Sequence, residues 1–167
     1  MADSTLFDQL IVKLRTMDEV SHVIHSLEEF SGTFYSPKTF EEQQDVFSKL
    51  PKELGDILLT EIVPVPVTRE NQIETKRKVD QLMENLKRCQ NIKLTIAFLP
   101  NDTTISLFSD WVKKNIKPEM LIDLQFDRTI VGGAMLISSG AYKDYSVKKK
   151  LSNFFQIQRN EIIRLLN

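Results

Sequence analysis

The side chains best suited to chemistry are few. His22 and His25 stand three apart, neighbouring positions on a helix, where two imidazoles can begin a metal site. The chain has only those 2 histidines and 1 cysteine, so a second pair that would complete four ligands is missing. Cys89 follows Lys87 and Arg88, cations that would lower a thiol pKa. It also continues the apolar spacing Val79, Leu82, Leu86, where a cysteine serves as a small core residue. No G-x-x-x-x-G-K-[ST] phosphate loop, G-x-G-x-x-G or G-x-S-x-G occurs. The expectation is a chain with no catalytic residues, no cofactor and no metal of its own.

More informative is the stretch 122–151, IDLQFDRTIVGGAMLISSGAYKDYSVKKKL. Gly132-Gly133 within an apolar run removes two side chains from a strand, which marks a bulge, a kink or a close approach of another backbone. Asp144 and Ser146 precede a basic helical pattern and offer short acceptors for its unpaired first amides.

The elements that hold these residues divide in two. Residues 5–59 repeat apolar positions three and four apart: Leu6, Leu10, Val12, Leu14; then Val20, Val23, Ile24, Leu27; then Phe40, Val46, Phe47, Leu50. Punctuation falls at Ser31-Gly32, at Ser36-Pro37 and at Pro51. Such short amphipathic helices are unstable alone and imply a bundle. The prolines of Val63-Pro64-Val65-Pro66-Val67 stop helix and predict a connector. A long charged helix capped by Thr68 follows, to about Gln90.

The period then changes from helix to strand. Ile92, Leu94, Ile96 and Phe98 alternate with more polar neighbours, and Pro100-Asn101-Asp102 turns into a helix bearing Ile105, Phe108, Trp111 and Val112. Met120, Ile122, Leu124 and Phe126 form a second strand with one wet face, and residues 130–137 read as a third, covered on both faces and central. A last helix runs from about Tyr145 to Leu166. Its stripe is Val147, Leu151, Phe154, Ile162 and Leu165, with Lys148, Lys149, Lys150, Arg159 and Arg164 around it. At about 1.5 Å per residue it outreaches a three-stranded sheet, so part of it should overhang. The fold class is mainly α with a small α+β part, divided as 1–66 helical bundle, 67–90 long helix or linker, and 91–167 sheet domain with terminal helix.

Composition agrees with a globular chain: 167 residues, 41% hydrophobic and 27% charged, long enough for one full core. Net charge is -1, yet residues 1–66 carry 12 acidic against 5 basic side chains and residues 138–167 carry 2 against 6. Such asymmetry suits two faces that meet different partners. Nucleic acid is not among them, since no groove-reading helix or aromatic-basic patch is present. The start MADSTLFDQL is no secretory signal, and a cytosol-facing chain is expected.

The order Phe126-Asp127, Ile130, Gly132-Gly133, an apolar strand, Asp144-x-Ser146-Val147 and a basic helix resembles the C-terminal region of the delta subunit of F-type rotary ATP synthases, the oligomycin sensitivity-conferring protein family. The resemblance covers about residues 80–167. It implies a non-catalytic peripheral-stalk (stator) subunit at the cytoplasmic face of the membrane, bound to that membrane only through the complex and serving proton-driven ATP synthesis. Its implied partners are a b-type stalk subunit for the C-terminal part and the N-terminal helices of the catalytic alpha subunit for the bundle. The implied interface or structural residues are Phe126, Asp127, Ile130, Gly132, Gly133, Asp144, Ser146, Val147, Leu151, Phe154, Ile162 and Leu165. The other reading is a stand-alone adaptor or regulatory interaction protein.

Overall fold

A computed structural model describes residues 3–34, 45–63, 69–138 and 140–166. Helices α1 (Asp3–Lys13), α2 (Met17–Thr33), α3 (Lys52–Ile62) and α4 (Arg69–Lys87) form a bundle, with residues 45–48 adding a helical turn. Thr16 opens α2 with a capping box. Its hydroxyl accepts the Glu19 N–H at 3.2 Å, while the Glu19 carboxylate accepts the Thr16 N–H at 3.4 Å. The helix runs on through Ser31-Gly32 to Thr33, where the sequence suggested a break. Those residues lie on a helix whose buried face, from Val20 and Val23 to Leu27 and Phe30, keeps it in register with its neighbours.

The bundle core gathers Leu10, Leu14, Val23, Leu27, Phe30, Phe47 and Leu58. Phe30 anchors an aromatic knot, with ring centroids 5.0 Å from both Phe34 and Phe47. The long helix expected between bundle and sheet, α4, also lays Val79, Leu82 and Leu86 into this core. The punctuation at Ser36-Pro37, the cap expected at Thr68, the apolar position Phe40 and connector positions 64–67 lie outside the described residues.

Four strands follow: β1 (Asn91–Ile96), β2 (Leu121–Phe126), β3 (Ala134–Ser138) and β4 (Ala141–Asp144), in the order β2-β1-β3-β4. Helix α5 (Asp102–Asn115) carries the crossover that makes β1 and β2 parallel. It begins at Asn101, whose side chain accepts the Thr104 N–H at 2.8 Å. Strand β3 returns antiparallel beside β1 and pairs with β4 in a hairpin. Ile92, Leu94, Ile96, Ile122, Leu124 and Leu136 pack with Phe108 and Val112 of α5.

Two expectations about the third strand change. It begins at Ala134, because Gly132 and Gly133 are occupied with another contact, and it is not covered on both faces: Ile137 is 41% exposed. Strand β4 had no counterpart in the sequence reading. Its four residues are too few to show alternation, and the signal for it is the turn at Gly140, with φ +79°. Helix α6 (Val147–Leu166) closes the chain. The result is the expected mainly helical fold with a small sheet.

Candidate partner-binding surface

The seat of α6 is built by the residues singled out in the sequence. Gly133 has φ +89°, and a Cβ there would stand 2.5 Å from the Tyr145 carbonyl oxygen and 3.0 Å from the Ser146 Cα. A Cβ on Gly132 would stand 3.1 Å from Cγ2 of Val147. The double glycine therefore lets one backbone lie directly on another. The Val147 N–H donates to the Gly132 carbonyl and the Tyr145 N–H to the Ala134 carbonyl, both at 2.9 Å.

Capping completes the seat. Ser146 N–H donates to Oδ1 of Asp144 at 2.8 Å, and the Lys149 N–H donates to Oγ of Ser146 at 3.2 Å. Hydrogen bonds from the Ser146 side chain and N–H hold the Asp144 carboxyl below the usual carboxylate range. Asp127 works in the same way just after β2. Its carboxylate accepts the Thr129 N–H at 2.8 Å and the Thr129 hydroxyl at 2.7 Å, which lowers its pKa. The turn so fixed buries Ile130 beside the double glycine and leaves Phe126 partly exposed, with the Arg128 guanidinium 5.7 Å from its ring centroid.

The sequence-derived site residues thus separate into two roles. Asp127, Ile130, Gly132, Gly133, Asp144 and Ser146 position the helix. Phe126, Val147, Leu151 and Phe154 present apolar surface. Ile162 and Leu165 lie within α6, and their side chains are outside the described set. Phe155, Ile157 and Ile163 also bear exposed apolar surface that the single stripe left out.

Relative exposure is 49% at Leu151, 52% at Phe154, 57% at Phe155 and 82% at Ile157. Among the described residues no other helix or strand makes extended contact with α6. At about 100° per residue, Lys148 and Lys150 flank the Val147-Leu151-Phe154-Phe155 face and Lys149 lies opposite. Burying the open half of four such side chains under a partner would contribute about 3–6 kcal/mol before ordering costs. A helix laid along this face fits that geometry, and acidic residues on it would meet the flanking lysines.

The residues considered for chemistry lie elsewhere. His22 and His25 are both exposed on α2, and His25 meets Glu29 at 3.3 Å. Among the described residues no group of three or more His, Cys, Asp or Glu could hold a metal ion. Cys89 packs half-buried against the bundle core, its thiol pKa pushed up by burial and by Glu119. That is the direction opposite to activation. Among the described residues no helix is long and apolar enough to cross a membrane.

No family model matches this chain, and no curated protein matches it either.

Proposed function

We propose that the chain is a non-catalytic peripheral-stalk subunit of a rotary ATP synthase, joining the catalytic head to a membrane-anchored stalk at the cytoplasmic face. The observation that carries this reading is α6: a basic amphipathic helix with its apolar face in water, held on a seat of two glycines and a Ser146 cap. A stator needs slow dissociation under load, and apolar burial along a helix supplies it, while the lysines set register and association rate. In this reading a b-type stalk helix covers α6. The N-terminal helices of the catalytic alpha subunits meet the acidic bundle.

The test is capture of the full-length chain by the b-type subunit of the same organism, in the wild type and in a Leu151→Asp, Phe154→Asp variant. Capture by the wild type and at least a tenfold weaker interaction for the variant are expected, with unchanged circular dichroism. A wild-type chain that ignores the stalk subunit overturns the stator reading and leaves the adaptor.

A further inference from the structure

A second set of contacts lies far from α6, where the bundle meets the sheet. Lys113 of α5 points its ammonium at the C-terminal end of α1 and donates to the carbonyls of Ile11, Val12 and Leu14 at 3.2, 2.7 and 2.6 Å. The last carbonyls of a helix lack intrahelical partners and form the negative end of its dipole, so a three-donor cation there satisfies both needs. Arg15, one residue further on, reaches the start of α5. Its Nη1 donates to Ser106 Oγ and pairs with Asp102 Oδ1, both at 2.9 Å. Its Nε and Nη2 hold Glu19 Oε1 of α2 at 2.9 and 2.6 Å.

The backbone joins in. The Ile122 N–H of β2 donates to the Arg15 carbonyl at 3.1 Å, and Thr16 forms a parallel bridge with Ile122. The junction between α1 and α2 thereby becomes an added rung on the outer edge of the sheet. Beneath it Leu121 of β2 is fully buried within the bundle core, not the sheet core. The covalent link from α4 to β1 is residues 88–90, whose Gln90 carbonyl accepts the Leu121 N–H at 3.1 Å.

We infer that Arg15 and Lys113 form a latch that locks the bundle onto the sheet at one angle, so that the chain behaves as a single rigid block between its two ends. This assignment does not depend on which partners the ends bind. Both are positioning residues: they hold the α1–α2 junction against β2 and α5. A connector so latched passes load from bundle to α6 without an internal hinge.

The experiment is a distance measurement by pulsed electron resonance on the full chain. Spin labels go at Asp56→Cys on α3 and Lys143→Cys on β4, both exposed positions, in a Cys89→Ser background. The latched chain is expected to give one narrow distance distribution. The Arg15→Ala, Lys113→Met variant should give one at least twice as wide, with unchanged circular dichroism. A broad distribution without the latch substitutions, or an equally narrow one with them, overturns the latch.

Should the double variant fail to fold, Lys113→Met alone is followed by amide hydrogen exchange. Exchange at Ile122 should quicken at least tenfold while β1 amides stay protected, and Lys113→Arg should restore it. Equal acceleration throughout the chain assigns Lys113 to general stability and removes the latch.

Discussion

Helices α2 and α6 are both amphipathic, and their fates differ. In α2, Val20, Val23, Leu27 and Phe30 all vanish into a core supplied by α1, α3 and α4. In α6, Leu151, Phe154, Phe155 and Ile157 remain in water although the helix is longer, with 20 residues against 17. Apolar area that a chain does not cover by itself is the part available to a partner. The bundle thus uses its stripes for folding, whereas the C-terminal unit folds on its sheet and keeps one helix in surplus. The same pattern of residues serves cohesion in one half and recognition in the other.

That contrast can be broken by substitution. Phe30→Ala empties a fully buried aromatic site and should destabilise the protein by about 3–5 kcal/mol in chemical denaturation. A loss below about 1 kcal/mol would show that the bundle core is loosely packed. Next in size is Gly133→Val, which adds a β-branched side chain at a positive φ where a Cβ already meets backbone. About 2–4 kcal/mol is expected from strain and overpacking together. A wild-type denaturation midpoint would mean that α6 can leave its seat freely.

Ser146→Ala removes the acceptor for the Lys149 N–H and should lower stability by about 1 kcal/mol, read most directly as faster amide exchange in the first turn of α6. Acid provides a smaller probe of the same seat. Asp127 and Asp144 titrate below their ordinary range in the folded chain, so between folded and unfolded pKa the unfolded state binds more protons. Their contribution is complete above the unfolded carboxylate pKa and is lost as pH falls through the folded values. The urea midpoint should therefore drop as pH falls through and below the ordinary carboxylate range, and Asp144→Asn should flatten that slope. A slope unchanged by the substitution would remove Asp144 from the seat. Smallest of all is Phe154→Ala, expected to change stability by less than about 0.5 kcal/mol because its ring is already half in water. A loss of the size seen at Phe30 would place α6 in the core and erase the contrast.

Much of this organisation is carried by local pattern. The three-and-four spacing of Val79, Leu82 and Leu86 and the acceptors ahead of α6 are legible because each reports on one element's own geometry. The single wet face expected of β2 does not hold, because the bundle covers Leu121 on that face while Phe126 on the other is exposed. The double glycine is legible as a close approach, since missing Cβ atoms leave few other uses. Its partner was not: only the folded chain brings Tyr145, Ser146 and Val147 onto it. Strand β3 starts four residues later than the apolar run through Ile130 and Val131 predicts, because the glycines that follow are taken up by the seat of α6. Ile130 caps the turn that Asp127 fixes, and Val131 stays in water.

The latch lies beyond any such reading. Lys113 meets the Leu14 carbonyl across 99 residues of sequence, and in the linear chain it is one lysine among solvated neighbours on a helix. Its role exists because the β1-α5-β2 crossover sets α5 against the end of α1, where its ammonium donates to three carbonyls. Local chemistry therefore determined which helices and strands form and which faces are apolar. Tertiary structure decided which apolar faces are covered, since that depends on the area the other elements bring, and which charged side chain stands opposite which helix end.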